Sequence, residues 1–163
     1  MITHIYFDWS ETLAKPRTRE IFLFGKTPKE KLSVLYDDTL YTLNYLVNKG
    51  YTLGIISNTS KNRKDILKSL EDTGLIHYFK GTIALSSDKH LCKKGCKKIF
   101  EFALENDNIQ SNQAVMVGNN YVKDVIGSKN VNMGCIFLDR NKLGIKGVED
   151  LKINQLKDLT KYF

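Results

Sequence analysis

The chain has 163 residues, of which 42% are hydrophobic and 26% are charged, and its formal net charge is +7. These proportions are ordinary for a globular protein, and a domain of this size buries roughly 70% of the surface that its unfolded chain exposes. No apolar run approaches the roughly 18 residues that cross a bilayer, and the first residues do not resemble a secretory signal. The sequence therefore predicts one domain over residues 1–163, without a membrane partner and in the cytoplasm.

Strand and helix patterns alternate along the chain. In chain order, we predict a strand at residues 2–7, an excursion at 14–36, a helix at 37–48, a strand at 51–56, a helix at 63–73, a strand at 81–85, a helix around 99–104, a strand at 113–117, a helix at 122–129 and a strand at 134–138. For residues 148–162, we predict a terminal helix and no further strand. The excursion carries Pro16 and Pro28, and Thr27 is suited to cap a helix that begins at Pro28.

The cysteines and histidines do not have the spacing of a metal site. Cys92 and Cys96 are one helical turn apart, and Cys135 lies far along the chain. There is no second Cys/His pair to complete a zinc site, so reduced and inert thiols are expected. The histidines are scattered singly, at His4, His77 and His90.

Alternating strands and helices indicate an α/β fold, a doubly wound (Rossmann-like) three-layer sandwich around a central parallel sheet of at least five strands. In such open sheets the ligand binds beyond the carboxyl ends of the strands, at the point where the strand order reverses. The candidate site residues therefore follow the predicted strands, within residues 8–12, 57–60, 86–94, 118–124 and 139–141.

Four of these strand ends carry a recognisable set of residues. Asp8 follows the first strand, Ser57 and Asn58 follow the second, Lys94 follows the third, and a glycine with Asp124 follows the fourth. With the surrounding segments, this set resembles the haloacid dehalogenase superfamily, whose members are mostly phosphatases. The resemblance covers nearly the whole chain and is carried by Phe7-Asp8 through Thr12-Leu13, Gly50 through Asn58, and Val117-Gly118 through Lys123-Asp124 to Met133-Gly134.

The resemblance implies a phosphate-handling role for each strand end. Asp8 would be a nucleophile that forms an aspartyl phosphate, which water then cleaves. Ser57, with Asn58 beside it, and the turn after Asp8 would bind the phosphoryl oxygens. Lys94 would neutralise the accumulated charge, because it occupies the family's lysine position when one counts back from the following helix; Lys93 is the alternative.

The same resemblance implies a Mg²⁺ cofactor. Its ligands would be Asp8, the backbone carbonyl of Ser10, and the loop after the fourth strand, with Asn119 and Asp124. Trp9, next to the nucleophile, would either stack on a substrate ring or form a wall of the site.

Three positions depart from the family pattern. Ser10 stands where the phosphatases carry a second aspartate as general acid and base, and the loss of such a group costs about 10²–10⁴-fold in rate. Glu11 stands where the family usually has glycine, and it would replace the missing acid only if the turn aims it at the substrate. Asn119 replaces an aspartate, which removes one negative charge and weakens the expected Mg²⁺ affinity.

The spacing of the motifs leaves no room for a substantial cap domain. An open site suits a large phosphorylated substrate, or a second copy of the chain that closes it in a homo-oligomer. The basic stretch 89–98 lacks the interleaved aromatic residues of a nucleic-acid surface, so it favours phosphorylated small molecules over nucleic acid.

Two functional hypotheses follow. The first is a Mg²⁺-dependent phosphatase whose rate the loss of the acid at Ser10 would lower. Asp8, Ser57, Lys94 and Asp124 favour this hypothesis. The second is a catalytically degenerate protein that binds a phosphorylated ligand or a protein partner. Ser10 and Asn119 favour this second hypothesis. A receiver-type phospho-acceptor domain fits poorly, because it requires its phosphorylated aspartate after the third strand.

Overall fold

The computed structural model describes residues 1–15, 33–59 and 62–163. Its strands are β1 (His4–Phe7), β2 (Thr52–Ser57), β3 (Ile83–Leu85), β4 (Ala114–Gly118), β5 (Gly134–Leu138) and β6 (Leu151–Ile153). They form one six-stranded sheet in the order β3-β2-β1-β4-β5-β6, and every neighbouring pair is parallel. The predicted α/β fold with a central parallel sheet of at least five strands is confirmed.

Helices cover both faces of this sheet. They are α1 (Thr39–Asn48), α2 (Arg63–Asp72), α3 (Lys98–Asn106), a π-helix (Tyr121–Ile126) that continues as α4 (Gly127–Lys129), and 3₁₀ helices at Ile76–Tyr78, Ser111–Gln113 and Leu156–Lys161. Alternate strand residues face opposite sides, so Ile5 and Phe7 pack with α1, α2 and the last 3₁₀ helix, whereas Tyr6 packs with α3. Within the described residues, no helix is both long and apolar enough to cross a membrane.

The sixth strand corrects one prediction. Residues 148–162 were expected to contain no strand, but β6 pairs with β5, with Leu138 opposite Ile153. Three residues with one fully buried side chain have no recognisable periodicity of their own. This strand forms because the open edge of β5 offers it backbone partners.

The cysteine prediction was also wrong. Cys92 and Cys96 are joined by a disulfide, with Cα atoms 6.2 Å apart, while Cys135 is free and buried. The two bonded cysteines lie in a loop before α3, where Gly95 has a φ of 106°, a conformation that glycine adopts readily. The loop therefore brings both side chains together, and the Cα distance lies in the usual range for a disulfide.

Part of the predicted excursion lies outside the described residues. This applies to Pro16 and to the helix expected at Pro28 with Thr27 as its cap, and Ser60 of the candidate segment 57–60 is also outside the described residues. The flanking residues are described, and Ala14 forms an isolated bridge with Leu35.

Candidate functional site

The strand order places the ends of β1, β2 and β4 side by side. From β1 the chain continues to β2 on one side of the sheet, and it later returns to β4 on the other side, so the order reverses between β1 and β4. Asp8 follows β1 at this point, and its backbone N–H donates to the carbonyl of Val117 at 3.0 Å. Ser57 ends β2 and Gly118 ends β4. The predicted ligand-binding edge therefore gathers the ends of three strands.

Lys94 lies at the centre of this edge. Its Nζ is 2.6 Å from Oδ1 of Asp8 and 2.5 Å from Oδ1 of Asp124, and its side chain is 2% exposed. Ser57 Oγ donates to the same Asp8 oxygen at 3.0 Å. Oδ2 of Asp8 accepts no hydrogen bond from the part of the chain that the structure describes. One oxygen of Asp8 is thus fixed by two donors, and the other is available to react.

The buried cluster shifts the pKa values of Lys94 and Asp124. Burial alone would lower the pKa of the Lys94 ammonium, but the charges of Asp8 and Asp124 outweigh it and raise that pKa. Burial raises the pKa of Asp124 to about 6, against the opposing effect of Lys94 and with an added contribution from Asp8. Two carboxylates and one ammonium leave a net negative charge when all three are ionised. This charge favours a cation beside the cluster.

Asn58 holds the backbone that carries Lys94. Its Oδ1 accepts a hydrogen bond from the Lys94 N–H at 2.6 Å. Its Nδ2 is buried and has no partner among the described residues. Buried donors in native proteins are almost always satisfied, so this amide points to a missing acceptor, such as an oxygen of a bound phosphate. The structure thus brings Asn58 to the site, where its amide can serve both the lysine loop and a ligand.

The loop after β4 holds Asp124 firmly. Asp124 Oδ2 accepts from the N–H of Asn120 at 2.9 Å, and the Asn120 side chain accepts from the N–H of Lys123 at 3.0 Å. A Cβ on Gly118 would collide with the Asp124 carboxylate, so only glycine fits there. Asp124 lies in a π-helix, a rare element that is frequent at functional sites.

Three residues depart from the family pattern. Ser10 and Glu11 lie in the turn after β1, and Asn119 lies in the loop after β4. Ser10 is exposed and forms an isolated bridge with Ala14. Glu11 has a φ of 62°, and its Oε2 is 3.5 Å from Nδ2 of Asn119. Oδ1 of the same asparagine accepts from the hydroxyl of Thr12 at 3.3 Å. The structure therefore aims the Glu11 carboxylate at the β4 loop and places a hydroxyl where the phosphatases have an acid.

Trp9 has a mostly structural environment. It is partly buried and packs against the apolar cluster beneath α1 and α2. Its carbonyl accepts from the N–H groups of Leu13 and Ala14, each at 3.0 Å. These contacts favour a wall of the site over a substrate platform.

The oxygens at this edge fit a Mg²⁺ ion. Asp8 offers the unbonded Oδ2, and Asp124 lies across Lys94 from it. The carbonyl of Ser10 and the amide of Asn119 are hard oxygen donors, as Mg²⁺ prefers. Among the described residues, no three His, Cys, Asp or Glu side chains converge as a metal cluster. The donor set therefore fits an ion that keeps several waters and has fewer protein charges than the family pattern supplies.

Sequence reasoning missed the role of Arg140. It follows β5, inside the predicted 139–141 segment, but no role was assigned to it. Its Nη2 donates to the carbonyl of Thr12 at 2.9 Å and pairs with Asp38 at 3.0 Å, while its guanidinium lies 3.8 Å from the centre of the Tyr36 ring. Arg140 and Tyr36 border a cavity of about 160 Å³ that Glu11 and Asn119 also line. Arg140 therefore fixes the end of the turn after Asp8 and one wall of the adjoining cavity.

Other candidates lie away from this cluster. His4 is in β1, His77 is in a 3₁₀ helix, and His90 lies in the loop before α3. Lys93, the alternative to Lys94, is exposed.

Known proteins are similar to this chain in sequence. The family described as haloacid dehalogenase-like hydrolase matches residues 11–138. A glyceraldehyde 3-phosphate phosphatase of Methanothermobacter thermautotrophicus is 30% identical over 138 residues, which are 76% of this chain and 58% of the relative. Pyrophosphatase PpaX of Bacillus velezensis is 32% identical over 107 residues, which are 66% of this chain and 47% of the relative. The chain spans about half the length of these curated relatives.

Solved structures are also similar to this chain in fold. The crystal structure of a HAD phosphatase from Thermococcus onnurineus has a TM-score of 0.69 and 35% identity, covering 80% of this chain and 58% of that one. An uncharacterized protein from Listeria monocytogenes serotype 4b has a TM-score of 0.81 and 27% identity, covering 99% of this chain and 96% of that one. Proteins of this small size therefore share the fold over nearly their full length.

Proposed function

Because the chain belongs to the haloacid dehalogenase-like hydrolases, we propose that it hydrolyses phosphate monoesters through a phosphoryl group carried on Asp8. The observation that carries this proposal is the unequal environment of the two Asp8 oxygens. Oδ1 is held by Ser57 and Lys94, whereas Oδ2 accepts no hydrogen bond from the described residues. Phosphatases among the relatives support the same class of reaction.

The proposed reaction has two steps. Oδ2 of Asp8 attacks phosphorus, the bond between phosphorus and the leaving oxygen breaks, and the leaving group departs with that electron pair. Water then attacks the aspartyl phosphate, which releases phosphate and restores the carboxylate. Lys94 balances the negative charge that gathers during both steps, and the free Nδ2 of Asn58 is suited to bind a phosphoryl oxygen.

Mg²⁺ is the proposed cofactor. Asp8, the carbonyl of Ser10, Asn119 and Asp124 would hold it, and when bound it would neutralise phosphoryl oxygens as a Lewis acid. The amide at position 119 brings no charge, so the affinity is expected to be lower than in a site with a third carboxylate.

Missing acid catalysis restricts the proposed substrates. Ser10 cannot protonate a leaving group at neutral pH, and the Glu11 carboxylate lies beside Asn119 rather than beside the nucleophile. Leaving groups that need no proton, such as phenolates, carboxylates or phosphate itself, should therefore react far better than alkoxides. We further propose that the domain works without a cap, so that its open site accepts a phosphorylated small molecule or a larger phosphorylated substrate, alone or beside a second copy.

The same two positions favour a second function. With Ser10 and Asn119 in place of carboxylates, the site keeps its phosphate-binding groups but lacks an acid and one metal charge. A protein of this kind would bind a phosphorylated ligand or a protein partner without turning it over.

One assay separates the two functions. Hydrolysis of 4-nitrophenyl phosphate and of an alkyl phosphate is measured with Mg²⁺ for the wild type, Asp8→Asn and the double variant Ser10→Asp/Asn119→Asp. We expect the wild type to cleave only the aryl ester, Asp8→Asn to cleave neither, and the double variant to gain activity on the alkyl ester. Activity found only in the double variant would favour the binding function, and activity that survives in Asp8→Asn would exclude the mechanism.

A further inference from the structure

The disulfide encloses the lysine that organises the site. Lys94 is the middle residue of the five-residue ring closed by Cys92 and Cys96. Its ammonium bridges Asp8 and Asp124 from inside this ring. Each of the two bonded cysteines is therefore two positions from Lys94 in the sequence.

Few other interactions define this loop. Lys94 N–H donates to Asn58, and the N–H of Cys96 donates to the carbonyl of Lys93 at 3.1 Å. Regular helix begins only at Lys98, and Gly95 has a φ of 106° in the middle of the loop. The disulfide is thus a main constraint on the backbone that carries the catalytic lysine.

The bond is placed where a thiol can reach it. Cys92 and Cys96 are both partly exposed, whereas Cys135 is buried. Lys93 and Lys97 adjoin the two cysteines and are exposed, so their positive charges stabilise the thiolate that leaves during exchange. These features are typical of disulfides that exchange and not of those sealed in a core.

We propose that Cys92–Cys96 is a thiol-sensitive modification site that controls the position of Lys94. A dithiol supplies two electrons and two protons in two exchanges. Its thiolate attacks one sulfur and forms a mixed disulfide, and its second thiol then displaces the protein, so the protein ends with two thiols and the dithiol with one internal disulfide. A disulfide oxidant closes the ring by the reverse sequence.

Opening the ring gives the loop more conformations. In the reduced protein Lys94 leaves the two carboxylates more often, and its backbone N–H loses the bond to Asn58 more often. A five-residue ring restricts the chain enough that the expected change in loop opening is on the order of tenfold. The effect on turnover rests on the proposed function of Asp8, but the effect on the loop does not.

The test uses the whole protein before and after treatment with dithiothreitol. Alkylation followed by mass spectrometry should find one reactive thiol in the denatured untreated protein and three after treatment, because the chain has three cysteines. NMR hydrogen exchange of the Lys94 amide should accelerate about tenfold on reduction, and aryl phosphate hydrolysis should fall with the fraction of molecules that keep Lys94 in place. The variant Cys92→Ser/Cys96→Ser should match the reduced protein and should not respond to dithiothreitol.

Each alternative result has a defined meaning. Equal Lys94 exchange in the two redox states, or a bond that native protein does not yield to dithiothreitol, overturns the inference. Accelerated exchange without hydrolysis in either state supports the redox site and contradicts the proposed function instead.

Discussion

Replacing Lys94 by methionine should strongly destabilise the protein. The change keeps the unbranched shape and most of the length of the side chain but leaves Asp8 and Asp124 without their shared cation. The Asp8 side chain is 11% exposed and that of Asp124 is 1% exposed, so solvent screens the two carboxylates far less than it would at the surface. Unpaired buried charges of this kind cost about 3–5 kcal/mol.

The geometry gives a similar magnitude. Both bonded oxygens lie within 2.6 Å of the same nitrogen, so they are at most about 5 Å apart, and two unit charges at that distance repel by about 3 kcal/mol at an effective dielectric constant of 20. We expect the free energy of unfolding to fall by about 3–5 kcal/mol at pH 7. The loss should be smaller at pH 5, because one carboxylate then takes up a proton.

Chemical denaturation at both pH values measures this effect. Lys93→Met is the matched control, since Lys93 is exposed and its loss should change stability by less than about 0.5 kcal/mol. The double variant Lys94→Met/Asp124→Asn removes one of the facing charges and should recover part of the lost stability. Equal losses in Lys94→Met and Lys93→Met, or a double variant less stable than Lys94→Met, would refute the charge argument.

Two further predictions concern Asp124. In Gly118→Ala the new methyl group collides with the Asp124 carboxylate. We therefore expect the variant to unfold at a lower temperature and to bind Mn²⁺ more weakly, as measured by EPR. Unchanged Mn²⁺ binding would contradict this prediction, because it would show that the carboxylate can move freely. Because the folded protein raises the pKa of Asp124 from 3.8 to about 6, the folded state binds the proton more tightly, and this residue's contribution to stability should decrease by about 2 kcal/mol as pH rises from 4 to 6. Denaturation of wild type and Asp124→Asn over this range measures the difference, and parallel pH profiles would contradict the assigned shift.

The fold could be predicted because its signals are local. Apolar runs that end in polar residues located the first five strands, and the alternation with helices gave the parallel sheet. The strand Leu151–Ile153 was missed because only the neighbouring edge of the sheet makes it a strand. A segment of three residues with one fully buried side chain carries too little pattern to be recognised alone.

The site was partly predictable for the same reason. Asp8, Ser57 and Asp124 directly follow strands or the turns after them, and Lys94 was located by counting back from the next helix. Arg140 was not found, because its partners Asp38 and Thr12 are 102 and 128 residues away in sequence. Contacts of this range leave no trace in local spacing.

The disulfide could not be predicted from spacing either. The two cysteines are four positions apart, a separation that suggested one helical turn without a bond between the thiols. The glycine at position 95 instead turns the loop, and this turn also delivers Lys94 to the carboxylates. The turn at Gly95 therefore accounts for the disulfide, which was not predicted, and for the position of Lys94, which the resemblance located.

The phosphorylated form of Asp8 gives the most direct test of the central claim. The protein is mixed with acetyl phosphate and Mg²⁺, quenched in acid, and digested for mass spectrometry. We expect a phosphoryl group on the peptide that contains Asp8, and we expect hydroxylamine to remove it and Asp8→Asn to lack it. Hydrolysis of acetyl phosphate that continues in Asp8→Asn, or a phosphoryl group on any other residue, would contradict it.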